Sequence, residues 1–216
     1  MIVIKVDPEN PDMKSIRLAA DAIRRGELVI FPTETVYGLA ADATNDTAVK
    51  KIFEAKGRRD SEPLPIQISR IDHLRTAASY VSDEARRLAE HYWPGPLTIV
   101  LQKNRNISDL VTGEKDTVGI RIPDNEVALA LLRELNIPIV ATSANLSGKP
   151  PTKNAEQAIT DLAPWVSVVL DGGDSNYGLA STVVDMTVVP PKILRRGSIN
   201  TQDIKLVIGE VEDIAE

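Results

Sequence analysis

The stretch Ile137-Pro138-Ile139-Val140-Ala141-Thr142-Ser143-Ala144-Asn145-Leu146-Ser147-Gly148 passes abruptly from branched aliphatic residues to small polar ones. A short buried strand is expected over Ile137 to Ala141, with the polar cluster beginning where the strand stops. Loops at the carboxyl ends of strands in open α/β sheets are where ligands sit. Ser and Asn there offer hydroxyl and amide groups that grip phosphate, ribose or a base edge. Ser, Asn and Gly are also the commonest turn formers, so the loop gains meaning only from its companions along the chain.

Outward from this stretch, helix and strand patterns alternate. Towards the N-terminus, strands are expected at the alternating start Met1 to Val6, at Leu28 to Phe31, Leu64 to Ile68, Leu97 to Leu101 and Val118 to Ile122. Helical spacing covers Met13 to Arg25 with Gly26 as its stop, Thr47 to Lys56 with Gly57 after it, Ser82 to His91, and a helix capped by Asn125 that ends near Leu135. Past the polar loop, a helix is expected over Asn154 to Leu162. Strands follow at Val166 to Leu170, Thr182 to Met186 and Lys192 to Arg195, then a short helix after Asn200. Several strands follow strands directly. The expected fold is therefore α/β with a mixed parallel and antiparallel sheet, in one domain spanning 1–216 without a linker or an internal repeat.

Composition narrows the function. The chain has 216 residues, 43% of them hydrophobic but only 4% aromatic, so aliphatic side chains must fill the core. Cysteine is absent, which removes disulfides and thiolate chemistry and fits a cytoplasmic protein. No long segment is charge-free enough to span a bilayer. The net charge of −6 argues against a surface built for nonspecific nucleic-acid binding. The cations are nonetheless grouped, at Lys56, Arg58 and Arg59 and again at Arg195 and Arg196, which suggests a local anion site.

Two further segments draw attention. Pro32-Thr33-Glu34-Thr35-Val36-Tyr37-Gly38-Leu39 packs hydroxyls, a carboxylate and a phenol into one turn, where Glu34 could simply cap neighbouring amides. Thr117-Val118-Gly119-Ile120-Arg121-Ile122-Pro123 places Arg121 inside an apolar strand. A guanidinium facing a sheet interior needs an anionic partner, either a ligand carboxylate held by its fork or an internal Asp. His73, in a short helical turn, and His91, before Trp93-Pro94-Gly95-Pro96, lack metal-ligand spacing, and structural roles are expected for both.

Taken in order, Thr33 to Leu39, Lys56-Gly57-Arg58, Pro63-Leu64, Trp93 to Thr98, Arg121-Ile122-Pro123, Ser143 to Gly148, Ser181 to Asp185 and Arg195-Arg196-Gly197 resemble the YrdC/TsaC-like family, the threonylcarbamoyl-AMP synthases. The resemblance runs over residues 12–207. Some members carry an additional C-terminal domain, which is not expected here. The resemblance implies a twisted mixed sheet with flanking helices around a large positively charged cavity. It also implies an activity: threonylcarbamoyl-AMP and pyrophosphate made from L-threonine, bicarbonate or CO2, and ATP. A separate transferase complex then moves the threonylcarbamoyl group to adenosine 37 of tRNA. Magnesium is expected to arrive with ATP, with no metal site of the protein's own.

By the same resemblance, Thr35, Gln67, Arg121, Ala141 and Ser181 line a threonine pocket, with Arg121 as the carboxylate clamp. Lys56, Arg58, Glu62, Thr117, Ser143, Asn145, Pro151 and Arg195 are implied at ATP. Lys56 and Arg58 are the catalytic pair, Lys56 helping to stabilise the leaving pyrophosphate. Three positions depart from the family pattern: Arg59 stands where Pro is usual, Glu62 where Asn is frequent, and Gln67 where His is frequent. A carboxylate at position 62 would repel ATP phosphates unless it turns away or acts through a metal. Gln67 can hydrogen-bond but cannot become cationic. Two other readings compete. One is a tRNA- or double-stranded-RNA-binding module; the other is a carbamoyl-adenylate enzyme of hydrogenase maturation, whose acylphosphatase and zinc-finger parts have no counterpart in this sequence.

Overall fold

The computed structural model describes residues 1–214, so the last two residues of the expected 1–216 span lie outside it. The longer helices begin where the sequence offers a cap. Asp12, Asn45, Ser82, Asn125, Asn154 and Asn200 each accept a hydrogen bond from the backbone N–H three residues on. Each such cap satisfies a donor that the helix cannot, typically worth about 1 kcal/mol. Gly57, at φ +58°, closes the helix that ends at Lys56.

The N-terminal half runs β1 (Ile2–Lys5), α1 (Met13–Arg24), β2 (Leu28–Phe31), β3 (Gly38–Asp42), α2 (Asp46–Lys56), β4 (Ile66–Gln67), α3 (Leu74–Ala77), α4 (Asp83–Tyr92) and β5 (Leu97–Gln102). It continues through α5 (Asp109–Thr112), β6 (Thr117–Arg121), α6 (Glu126–Leu135), β7 (Ile139–Ser143), α7 (Ala155–Leu162), β8 (Val166–Asp171), β9 (Thr182–Asp185), β10 (Lys192–Arg195) and α8 (Thr201–Ile208). The described strands form one sheet in the order β1-β8-β2-β3-β7-β4-β6-β5-β9-β10. Parallel pairs (β1 with β8, β8 with β2, β4 with β6, β5 with β9) are mixed with antiparallel ones, as the strand-after-strand segments imply.

Residue alternation decides what each face of the sheet does. On β2, Val29 and Phe31 join the core formed with α1 and α6, while Leu28 and Ile30 join the larger core on the opposite face. Both faces are dry there, which is why all four residues of β2 are apolar. On the other half of the sheet only one face is packed. Leu97, Ile99, Leu101, Val118, Ile120 and Val184 enter the larger core. Their alternating neighbours Thr98, Val100, Thr117, Gly119, Arg121, Ser181, Val183 and Asp185 floor an open cavity instead.

Three sequence expectations shift. β3 takes up residues that read as the end of a polar turn, because Gly-Leu-Ala-Ala-Asp has no β-branched signature. Gly38 is small because a Cβ there would lie 2.8 Å from the Phe31 ring. β4 shrinks from an expected Leu64 to Ile68 to two residues: Pro63 and Pro65 flank Leu64 without donors, and the Leu64 N–H goes to the Val111 carbonyl instead (2.8 Å). β7 starts at Ile139 and runs through Ser143, later than the expected Ile137 to Ala141. Pairing with β3, from Asp42↔Ile139 to Gly38↔Ser143, holds Thr142 and Ser143 in the ladder.

The strand end that carries Ser181 is set by a backbone approach. A Cβ on Gly197 would lie 2.3 Å from Thr182 N and 2.4 Å from the Ala180 carbonyl. Gly197→Ala is expected to destabilise the fold by about 1–3 kcal/mol through overpacking. That lowers the thermal midpoint by roughly 2–4 °C for each kcal/mol in a protein of this size. Calorimetry reads it directly, and an unchanged midpoint would show that the approach is not tight.

Candidate active site

The open face encloses a cavity of about 490 Å³, within the range of small-molecule sites. Its floor is the exposed face of β5, β6 and β9. One wall is the Thr33 to Gly38 loop, another is Arg58 with Pro63, Leu64 and Pro65, and a third is Ala141 to Ser143. Arg58, Lys115, Arg121 and Arg195 bring cations to it, and Asp185 is the carboxylate among its lining residues.

Arg121, at the end of β6, is the most constrained of these cations. Its Nε donates to the Gly95 carbonyl (3.1 Å), Nη1 to Thr35 Oγ1 (3.0 Å) and Nη2 to Glu34 Oε1 (2.6 Å). Both members of this ion pair are buried. The internal anion is thus Glu34, not an Asp, and Glu34 does not serve as a cap for neighbouring amides. Each terminal nitrogen of a guanidinium carries two N–H groups. Arg121 therefore keeps one N–H on Nη1 and one on Nη2 beyond those spent on Thr35 and Glu34.

Ser181 ties a second cation, Arg195, to this centre. Its hydroxyl shares a hydrogen bond with Thr98 Oγ1 (2.8 Å) and accepts from Arg195 Nη2 (3.0 Å), while its carbonyl accepts from Arg195 Nε (3.0 Å). Burial lowers the Arg195 pKa, and the positive fields of Arg121 and Arg58 lower it further. Burial also lowers that of Arg58, with Glu62 opposing the shift. Guanidinium groups stay charged regardless, so the cavity concentrates like charges that an anion would relieve. Gln67 Oε1 is buried beside them without a hydrogen-bond partner among the described residues.

Lys56 stands behind this wall. The last turn of α2 buries its ammonium, which donates to the carbonyls of Ser143 and of Asn145, the latter at 2.6 Å. The Lys56 carbonyl in turn accepts from Ser147 N (2.8 Å). The polar loop after β7 is thereby strapped to α2. Desolvation, reinforced by Arg58, pulls the Lys56 pKa from 10.5 down to about 7. A neutral amine has two N–H donors, matching the two carbonyls it faces.

Of the residues implied at threonine, Thr35, Gln67, Arg121, Ala141 and Ser181 all line the one cavity. Of those implied at ATP, Arg58, Thr117, Ser143 and Arg195 do so as well. Four do not. Lys56 is spent on main-chain carbonyls. Asn145 donates to the carbonyls of Leu146 and Lys149 within its own loop. Pro151 is exposed. Glu62 lies outside the wall, beside Arg58 and Arg59 (3.6 and 3.1 Å). Thr98, Val183 and Asp185 also line the cavity. They fall within the quoted segments Trp93 to Thr98 and Ser181 to Asp185 without an assigned role, and alternation along β5 and β9 is the signal for them, whereas Lys115 lies in no quoted motif. Tyr37 was quoted only as part of a turn. Its hydroxyl donates to the Gly173 carbonyl (2.7 Å) and accepts from Gly172 N (3.1 Å), tying the Gly172 to Ala180 loop to this wall.

Residues 21–197 match the family model named for Sua5, YciO and YrdC and described as "Telomere recombination". The chain is 45% identical over 210 residues to a threonylcarbamoyl-AMP synthase of Pyrococcus abyssi, covering 97% of this chain and 62% of that protein. It is also 45% identical over 197 residues to the Bacillus subtilis threonylcarbamoyl-AMP synthase, covering 91% and 57%. The crystal structure of P. abyssi Sua5 complexed with L-threonine superposes with a TM-score of 0.96 at 45% identity, covering 99% of this chain and 62% of that one. The chain thus spans about three fifths of the length of these relatives.

The Lys56 pKa gives a direct test. The unfolded chain binds this proton up to about 10.5 and the folded chain only up to about 7. Between those values the unfolded state holds more protons, so this group's contribution to stability rises with pH across that window. In NMR of the side-chain 13Cε, Lys56 should titrate near 7, and Arg58→Ala should move its midpoint upward by removing a neighbouring positive charge. A midpoint close to 10.5 would rule out the buried, unpaired state.

Proposed function

The chain belongs to the Sua5/YciO/YrdC family, and from that premise we propose that it is an L-threonylcarbamoyladenylate synthase supplying tRNA position 37 modification. The observation that supports this most is the convergence of Arg121, Arg195 and Arg58 on one cavity, with two N–H groups of Arg121 left for a carboxylate beside Ser181 and Thr35. A relative of near-identical fold is described with L-threonine bound.

The chemistry needs positioning more than a nucleophile. The threonine amine adds to bicarbonate with loss of water, giving an N-carboxylate. One oxygen of that carbamate attacks the α-phosphate of ATP, the bond to the β-phosphate breaks, and pyrophosphate leaves with the electron pair. Both partners are anionic. Holding them in contact among buried cations neutralises the repulsion and pre-pays the entropy of bringing them together. Arg121 would fix the threonine carboxylate, with Gln67 Oε1 an acceptor suited to its amine. Arg58 and Arg195 would face the phosphates. Lys56 would act mainly by holding the Ser143 to Ser147 loop in place, with its amine behind the wall rather than on it.

Magnesium would come in with ATP, held by phosphate oxygens and water. Among the described residues no group of three or more His, Asp and Glu side chains is placed to hold a metal ion. No helix among the described residues is long and apolar enough to cross a membrane, and work on tRNA intermediates fits the cytoplasm. The product is a reactive mixed anhydride, which argues for direct hand-over to the downstream transferase complex.

Threonine-dependent release of pyrophosphate from ATP, with bicarbonate present and RNA absent, tests the assignment; an RNA-binding module would release none. Arg121→Lys is the informative variant. It keeps a cation beside Glu34, whereas Arg121→Ala would leave a buried carboxylate unpaired at a cost of about 3–5 kcal/mol. Losing the fork should raise the KM for threonine at least about tenfold, the usual scale of a hydrogen bond to a charged group. The KM for ATP should stay nearly constant. Equal loss for both substrates would remove Arg121 from the clamp.

A further inference from the structure

We propose that Glu62 is a brake on phosphate capture: its carboxylate competes with bound polyphosphate for the Arg58 guanidinium, and Arg59 sets how strongly it does so. The inference rests on reading the Arg58 side of the cavity as the phosphate side.

Arg58 has unused capacity. Its Nη2 donates to the Pro63 carbonyl (3.1 Å), and its Nε is buried without a hydrogen-bond partner. Glu62 Oε2 stands 3.6 Å from that Nε, close enough to share the charge but too far for a hydrogen bond. The other oxygen, Oε1, accepts from Arg59 Nε at 3.1 Å. A turn fixes the arrangement, since Glu62 N donates to the Arg59 carbonyl (3.0 Å). One carboxylate is therefore divided between a cavity cation and an outer cation. Arg59 is 82% exposed and Glu62 only 33%, so the outer hold is the weaker and more easily screened.

The consequence follows from Coulomb's law. A phosphate on Arg58 meets Glu62 as a like charge on the far side of the same guanidinium, so binding is weaker than the cation alone would give. The same repulsion favours departure of a polyphosphate product. Arg59 offsets part of it by drawing the carboxylate outward. Two of the three positions that depart from the family pattern thus meet each other.

Calorimetric titration with tripolyphosphate, and separately with a nonhydrolysable ATP analogue, tests this on the full chain and three variants: Glu62→Gln, Arg59→Ala and the double substitution. Glu62→Gln should tighten binding about fivefold, the worth of a partly exposed charge pair. Arg59→Ala should weaken binding in the parent and have no effect once Glu62 is Gln. An unchanged or weaker Glu62→Gln overturns the brake, as does an equal Arg59→Ala loss in both backgrounds, which would mean that Arg59 meets phosphate itself. Binding of the ATP analogue without a gain in Glu62→Gln rejects the brake alone. A Glu62→Gln gain for tripolyphosphate with the ATP analogue ignored keeps the brake and rejects the ATP reading. No binding of either probe by any variant overturns both.

Discussion

The buried pair of Arg121 and Glu34 is the contact on which this architecture turns. It joins the end of β6 to the Thr33 to Gly38 loop, and the Arg121 Nε adds the turn at Gly95. Burying two ions costs several kcal/mol each unless further hydrogen bonds satisfy them. Arg121 meets that condition with three protein acceptors. Glu34 meets it only in part, since its Oε2 is buried without a partner among the described residues. Such a pair does not contribute its full Coulomb energy to stability. Its effect is to hold the Arg121 guanidinium at one orientation at the cavity wall.

Around that pair, backbone atoms do much of the holding. The Tyr177 and Gly178 N–H groups donate to the carbonyls of Glu34 and Thr35, and Ser175 Oγ donates to the Thr33 carbonyl (2.8 Å). Lys56 fastens the loop after β7, and Tyr37 fastens the glycines after β8. Three loops from distant parts of the sequence are thus fixed to one another by few side chains.

The fold was largely legible in the sequence where local physics dominates. Asn125 caps its helix as its sequence predicts, the structure adds Asp12, Asn45, Ser82, Asn154 and Asn200 as caps, and aliphatic runs such as Leu28 to Phe31 mark buried strands. β3 was missed because Ala and Gly carry no strand preference of their own; a slot between two neighbouring strands put them there. In the site, Arg121, Ser181, Thr35 and Gln67, which motif likeness groups, line one cavity. That likeness could not show that Lys56 faces the loop after β7 rather than the cavity, because hydrogen-bond partners more than eighty residues away leave no local trace.

By itself, the sequence determined the helix caps, the buried strands, the mixed character of the sheet and the set of cations able to hold an anion, since each depends on side-chain chemistry and short-range spacing. Only the tertiary structure decided which strand faces stay open, that Glu34 is the internal partner of Arg121, and that Glu62 is shared between Arg58 and Arg59. Those outcomes depend on strand order and on competition among charges for the same partner, and both are settled only when the whole sheet closes.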